Sequence, residues 1–438
     1  VSSAIGVEFA TLTDVGMRRT TNQDSHALLA ADSLSVFESR GHLLMIADGM
    51  GAHAAGELAS RLAVEQVPHL YRKYVELSPP DALLRAFREG NTEINRRGCA
   101  NTDFHNMGTT SSVLVLLPQG AIAGHVGDSR IYRLRDNTIS QLTFDHSLQW
   151  ELRASGQLPD NADISAVVPK NVITRSLGPN SSVEIDLEGP HAINVGDVYL
   201  LCSDGLTGRV EDEELGAILA SLAPKEAAHA LVDLANLRGG PDNTTVLIAK
   251  VTGPEFQLNT EKTMPLRTGA SHSFQPLHIV LLIIAAACGL AAGILAIVGH
   301  LLAAGIALGV ALVIGAIALL HRQLALSGTR LGGDRMLGKG PYTTAHCEPN
   351  AQLVQKLSAT LDELRQAARE GSWDINWAPL DESSKLASAA AAAGDYTEAV
   401  RQDCRAISHM MSELRHQQKK KVGSTTINFS YRDVEETP

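Results

Sequence analysis

Cysteine is scarce in this chain and poorly placed for structural chemistry. Cys99, Cys202, Cys288, Cys347 and Cys404 are odd in number and scattered, with no C-x-x-C pair, which argues against a disulfide framework and a zinc site. A reducing compartment such as the cytosol fits that usage. Positive charge is also short. Against 48 Asp and Glu stand 37 Lys and Arg, a formal net charge of −11, so a nucleic-acid binder relying on a generalised basic surface is excluded. The acidic balance is mainly a statement about solubility. The first residues, from Val1, lack a charged-then-apolar signal segment, and no targeting reading is taken from them.

What is present is length and apolar content. With 438 residues, 44% of them hydrophobic, the chain has room for more than one domain and a sizeable core. Residues 1–252 alternate short β-like runs with Gly, Asp and Asn turns. The strand candidates are Leu43–Ala47, Ser112–Leu117, Ala121–Val126, Arg130–Leu134, Val198–Cys202 and Thr244–Val251. The PQG and RDNT turns make the 111–143 region a run of antiparallel strands. Apolar spacing predicts helices over His53–Val67 (Ala55, Leu58, Ala59, Leu62, Val67) and Pro80–Asn95 (Leu83, Leu84, Phe87, Ile94). Strands interrupted by helical pairs suggest packed sheets with helices outside.

Residues 253–276 read as a linker, rich in Pro, Thr, Ser and His. Its Thr260, Thr263, Thr268, Ser271 and Ser273 are candidate phosphorylation sites, although composition favours an unmodified tether. Two uncharged apolar runs follow, Leu277–Val298 and Leu301–Leu320, of 22 and 20 residues. Each approaches the ~20 residues that cross a bilayer as helix. Only Gly299 and His300 separate them, so the expected topology over 277–320 is a transmembrane hairpin with both flanks on one side. Arg267, His321, Arg322, Arg330, Arg335 and Lys339 place those flanks in the cytoplasm. The expectation is therefore a multi-pass protein of the inner membrane. Gly289 with Gly293, and Gly305 with Gly309, would let the two helices pack closely.

Residues 321–438 are expected to be an α-helical cytoplasmic region with a disordered tail. Leu353, Leu357, Leu361 and Leu364 form one stripe over Ala351–Glu370, and Glu382–Ala393 with Thr397–Gln417 form a second pair split at Ala-Gly-Asp. A plain helical hairpin is the default reading, with an adaptor role as the alternative. Trp373 and Trp377 read as packing residues or interfacial anchors.

Five aspartates sit where apolar runs give way to turns: Asp24, Asp48, Asp128, Asp204 and Asp242. Carboxylates at strand ends can converge from distant positions, and hard divalent cations want oxygen ligands of that kind. A metal-dependent hydrolase is the reading these residues support by themselves. The ordered set TDVGMRRTTNQDS, ADGMGAHAAGE, MGTT, GHVGDSR, LTFDHS, NVITRSLG, CSDGLTG and PDNTTV goes further. It resembles the type-2C (PPM) metal-dependent protein serine/threonine phosphatases, bacterial membrane-anchored type, across everything before the linker.

That resemblance implies an α+β domain, a four-layer α-β-β-α sandwich, and a centre of two Mn²⁺ or Mg²⁺ ions with a third position. Asp48 would bridge two ions, and Gly49 would offer its backbone carbonyl, an approach that small residues permit. Asp204 and Asp242 would complete the first ion's protein ligands. Asp128 would share the additional position with Asp204. Arg19 would grip the substrate phosphate with its planar fork, while Arg18 reads as a surface charge. His53 would be the general acid, its ordinary pKa suiting neutral pH; a lone histidine at a helix start would otherwise be a cap or surface residue.

Gln23 departs from the family pattern, which usually has glutamate there, and removes one negative charge beside the second ion. Asp24 is expected to compensate from behind the metal ligands, and Ala52 replaces a frequent glycine. The implied substrates are phosphoserine and phosphothreonine proteins, with a Ser/Thr kinase as opposing partner, a bilayer as anchor and no nucleic acid. The rival reading is a catalytically impaired membrane scaffold that uses the fold and the C-terminal helices for binding.

Overall fold

The structure, a computed structural model, describes residues 2–51, 54–155, 168–169, 172–257, 277–299, 302–305, 307–312, 337–371 and 373–426. Contacts divide the chain into two compact units. The first comprises Val1–Lys73, Leu83–Met264 and Leu337–Pro438, and the second Tyr74–Ala82 and Pro265–Met336.

The first unit is built on two antiparallel sheets. One contains β1 (Ser2–Ala4), β2 (Val7–Asp14), β8 (Arg130–Arg135), β9 (Thr138–Gln141), β11 (Val198–Cys202), β12 (Thr244–Val251) and β13 (Thr343–His346), in the order β1-β2-β12-β11-β8-β9-β13. The other contains β3 (Asp24–Leu29), β4 (His42–Met50), β6 (Ser111–Leu117), β7 (Gly120–Val126) and β10 (Asp186–His191), in the order β10-β7-β6-β4-β3, with β5 (Gly108–Thr109) paired to β4. Asp136 and Asn137 both adopt positive φ, giving the tight β8–β9 hairpin a primed turn matched to strand twist.

The central strands are apolar throughout because both their faces are covered. Along β11 and β12 the period of two sorts side chains: Tyr199, Leu201, Leu247 and Ala249 enter the core between the sheets, whereas Leu200, Cys202, Val246 and Ile248 face a second core under helices. Those helices are α6 (Asp212–Ser221) and α7 (Pro224–Leu237). On the opposite side, α2 (Ala54–Lys73) lies on β3 and β4, and Leu83 and Phe87 of α3 (Pro79–Ala100) press on Gly124 of β7. Helix, sheet, sheet and helix follow in that order, with α1 (Leu34–Arg40), α4 (Leu148–Ala154) and the short α5 (Asp204–Thr207) at loop positions.

The C-terminal region is part of this same unit. Strand β13 extends the first sheet by pairing with β9, Thr343 opposite Gln141 and His346 opposite Thr138. Helices α9 (Ala351–Glu370), α10 (Trp377–Ala392) and α11 (Tyr396–Thr426) come next, numbering the helix of the second unit as α8. Leu357, Leu361, Val400 and Ile407 join Leu215 and Ile218 of α6 in one apolar cluster. Cys347 rests on Gly216, where any Cβ would collide with its sulfur. Trp373 and Trp377 pack against this cluster, which bears out the packing reading and not the interfacial one.

In the second unit, α8 (Leu277–Ile297) forms from the first apolar run. Among the described residues, however, no helix is long and apolar enough to cross a membrane. That corrects the expectation of a transmembrane hairpin, a bilayer anchor and a multi-pass inner-membrane protein. From residue 285 onward α8 is rich in Ala and Gly, and a turn at Gly299 with positive φ follows its end at Ile297. The candidate phosphorylation sites of the linker and the expected tail from 427 onward lie outside the described residues.

Candidate metal and phosphate site

The two sheets bring their polar strand ends to one place. Asp24 and Asp48 are direct partners across β3 and β4. The Asp48 backbone is fixed by Thr109 and Thr110: its N–H donates to Thr110 Oγ1 at 2.8 Å, and its carbonyl accepts from Thr110 N at 2.8 Å and Thr109 Oγ1 at 2.9 Å. From the other sheet, Asp204 follows β11 as the first residue of α5, and Asp242 lies just before β12. Gly205 has no space for a Cβ beside the Asn243 carbonyl, so the two aspartate loops are in contact.

Asp24 ties the sheets together. Its Oδ2 accepts from Ser203 Oγ and Thr245 Oγ1, both at 2.7 Å, while its Oδ1 is buried without a hydrogen-bond partner among the described residues. Gly49 sits where a Cβ would run into the Gly56 carbonyl of α2 and come 2.8 Å from the Gln23 carbonyl. The Gln23 amide nitrogen reaches the start of α2, 2.6 Å from where Gly56 would carry a Cβ. The glycines at 49 and 56 are therefore demanded by close backbone approach.

Electrostatically the site is under strain. Burial, followed by Asp24, Asp204, Asp128 and Asp242, pushes the Asp48 carboxyl well above the usual carboxylate range. Burial raises Asp24 to about 7 against its two hydroxyl donors, and burial with neighbouring Asp204 and Asp145 raises Asp128 to about 8. Asp204 rises to about 6, through burial and then Asp242. Oδ1 of Asp128 and Oδ1 of Asp204 are likewise buried without hydrogen-bond partners among the described residues. An all-oxygen set of crowded carboxylates with orphaned atoms fits a hard divalent cation, which would stabilise their charged forms. Among the described residues no group of three or more His, Cys, Asp or Glu side chains already forms a closed metal cage. The fit rests on donor chemistry and convergence.

Arg19 sits at the rim, about half exposed, and donates from Nη2 to Asp242 Oδ2 at 2.8 Å. That hydrogen bond chiefly raises its pKa, opposed by burial and aided by Asp242, Asp48 and Asp204. Its loop is held by Gly16, at φ +80°, packed on the Asp242 carbonyl, and by Met17 N and Arg18 N donating to Gly240 O at 2.8 and 3.2 Å. Asp48, Asp204, Asp242, Asp128, Asp24, Gly49, Gln23 and Arg19 are thus gathered in one region. His53 and Ala52 lie outside the described residues.

Several supporting residues carried no role in the sequence reading. Asp145 takes a bidentate grip on Arg130, with contacts of 2.7–3.0 Å, and both line a cavity of about 310 Å³ shared with Asp128 and Asp204. His146 accepts from Gly127 N at 3.0 Å and faces Asp186 at 3.0 Å, which fixes the turn before Asp128. Asn243 orders the first loop by accepting from Gln23 N and donating to the Val15 and Thr21 carbonyls. The available signal was polar residues at the tips of apolar strands, in LTFDHS and PDNTTV.

Comparison with known proteins points to one family. The family model for protein phosphatase 2C matches residues 17–157. A putative protein phosphatase 2C-type of Streptococcus pyogenes is 37% identical over 242 residues, covering 54% of this chain and 94% of its own length. Protein phosphatase PhpP of Streptococcus pneumoniae is 35% identical over 264 residues, covering 56% and 98%. Among solved structures, the serine/threonine phosphatase of S. agalactiae matches with a TM-score of 0.50 at 34% identity, over 56% of this chain and 99% of that one. With relatives matched over nearly their whole length, the chain belongs to the protein phosphatase 2C family and is a metal-dependent protein serine/threonine phosphatase.

Proposed function

We propose that Asp48, Asp204 and Asp242 hold two divalent cations, Mn²⁺ or Mg²⁺, with the Gly49 carbonyl as a further ligand and Asp128 sharing a third position with Asp204. The observation that carries this reading is the crowding of buried carboxylates with unpartnered oxygens on Asp128 and Asp204. When bound, such ions supply an activated water and neutralise phosphoryl charge. The chain's own residues do the rest. Arg19 holds two phosphate oxygens with its fork and exchanges part of its bond to Asp242 for the substrate. His53 gives a proton to the leaving seryl or threonyl oxygen. Asp24, clamped by Ser203 and Thr245, keeps the two sheet ends in register behind the ligands. Gln23 can orient water but contributes no charge, so the cation nearest it is held more weakly.

Phosphoserine and phosphothreonine proteins are the substrates, and a Ser/Thr kinase is the opposing enzyme. The test is manganese-dependent hydrolysis of a phosphothreonine peptide by the full chain and by Asp204→Asn. Activity that needs the metal and is lost in the variant is expected. Equal rates, insensitive to chelator, would overturn the assignment.

A further inference from the structure

We propose that Arg415, on the C-terminal helix α11, is a positioning residue for the phosphate-binding loop, so that the docked C-terminal region works as part of the phosphatase site. The inference rests on Arg19 as the phosphate ligand. Arg415 Nη2 lies 3.3 Å from Asp14 Oδ2 and 2.8 Å from Asp233 Oδ1. The second contact is an ion pair without hydrogen-bond alignment, since Asp233 Oδ1 has no aligned donor. Asp233 is buried on α7; burial raises its carboxyl, and Arg415, with Ser408 and His229, lowers it. Arg415 is the cation that these two carboxylates share.

Asp14 is the last residue of β2 and leads into the loop that carries Arg19. Its other oxygen, Oδ1, accepts from Gly16 N at 2.9 Å and from Asn236 Nδ2 at 3.1 Å. Gly16 abuts Asp242, and Asp242 holds Arg19. A continuous strut therefore runs from α11 through Asp14 and Gly16 to the guanidinium at the rim. Helix α11 is itself clamped on the helix layer: Arg401 donates to the Ser221 carbonyl at 2.8 Å, Arg405 pairs with Glu226 at 2.9 Å, and Val400, Ile407 and Met410 are buried in the shared core. Removing Arg415 leaves Asp14 and Asp233 without their common cation, and Asp14 is then free to release Gly16. The first consequence is a looser Arg19, while Asp48 on β4 and Asp204 on α5 lie outside the strut.

The experiment compares the full chain with Arg415→Ala, Arg415→Lys, Asp14→Asn and the double variant Arg415→Ala/Asp14→Asn. KM and kcat are read on a phosphothreonine peptide, together with the inhibition constant of inorganic phosphate and the Mn²⁺ activation midpoint. Arg415→Ala is expected to raise KM and the phosphate inhibition constant about fivefold, within the range by which residues remote from a ligand modulate coupling. The change in kcat should stay under about twofold and the Mn²⁺ midpoint should shift less than the phosphate inhibition constant. Arg415→Lys should recover part of the loss, and the double variant should be no worse than the larger single one. Unchanged phosphate inhibition in Arg415→Ala, or additive effects with Asp14→Asn, would overturn the proposal. Should Arg415→Ala fail to fold, Arg415→Lys and Asp14→Asn carry the same test. Arg19→Ala separates the two layers of the argument. If it leaves phosphate inhibition unchanged, the phosphate-ligand reading falls; if it weakens inhibition and Arg415→Ala does not, only the strut falls.

Discussion

Two regions of the first unit handle charge in opposite ways. At the strand ends Asp24 and Asp128 are buried and Asp48 and Asp204 partly so, and burial together with the neighbouring carboxylates raises their pKa values. Along the seam between the C-terminal segment and the α6–α7 layer, charges meet their opposites. Lys356 lies 3.1 Å from Glu211 and 3.0 Å from Glu214, and Arg405 pairs with Glu226. One region stores unfavourable electrostatics for a ligand to relieve, and the other is finished without one. A substitution that removes charge should therefore have opposite effects in the two places.

The largest contrast is in activity. Asp204→Asn should lower phosphatase turnover by about a thousandfold, the scale expected when a preorganised electrostatic group is lost. The metal-free variant should nonetheless unfold at a temperature equal to or above that of the metal-free parent, because one like charge has gone. A clear drop in its melting temperature under chelator would show that Asp204 is a structural residue and break the comparison. On the seam, Leu357→Ala removes a fully buried side chain from the cluster shared by α9 and α6. It should cost about 2–5 kcal/mol in denaturant unfolding, with turnover per folded molecule changed far less than in Asp204→Asn.

Dependence on pH separates the regions next. A carboxyl raised on folding binds more protons in the native state than in the unfolded one, so stability falls as pH rises between its two pKa values. For Asp204, Asp24 and Asp128 that interval runs from 3.8 to about 6, 7 and 8. The chelated protein should lose thermal stability from pH 6 to 8, and Mn²⁺ should abolish the loss. Glu214 behaves oppositely. Burial acts to raise it, but hydrogen bonds from Arg238 and Lys356 outweigh burial and lower its pKa, so its contribution is present above the unfolded pKa and fades as pH falls through the folded one. Differential scanning calorimetry of the chelated and Mn²⁺-loaded protein from pH 6 to 8 reads the first sign, and scans below pH 4.5 read the second. A chelated melting temperature that rises from pH 6 to 8 would contradict the strained-site description.

Gln23→Glu tests the site from the other direction by adding a charge where the family pattern has one. It should tighten the weaker Mn²⁺ step by about tenfold, the lower end of what outer-sphere partners of a metal contribute, as read by titration calorimetry. An unchanged midpoint would mean that the Gln23 side chain is turned wholly toward α2.

How much of this was legible beforehand follows from how local each signal is. Val198–Cys202 and Thr244–Val251 were readable as strands because uninterrupted apolar runs ended in turns, and both form with those bounds. Ala351–Glu370 was readable from its leucine stripe and forms as a helix. Strand β13 was not, because Thr343–His346 is four residues long with a partner some 200 positions earlier. The apolar stripe of α9 was visible but its destination was not, since periodicity says that a face is buried and not against what. The runs after 277 were read as spans from their apolar length, but among the described residues no helix is long and apolar enough to cross a membrane. At the site, aspartates were legible through motif order, whereas Asn243 and Arg415 act through partners far away in sequence.

The smallest expected effect decides what holds the seam together. Arg405 and Glu226 are each more than 40% exposed, so water and salt screen their attraction and the pair should contribute less than ~1 kcal/mol. Arg405→Ala should therefore shift denaturant unfolding only slightly, and less still at high salt. Lost packing of the arginine stem sets the remainder. If instead Arg405→Ala cost as much as Leu357→Ala, the C-terminal segment would be held by its ion pairs, and salt alone should detach it. The leucine-rich cluster makes the other outcome the expected one. Charge at the seam then selects which surfaces meet, apolar burial keeps them together, and only at the strand ends is charge itself the working part.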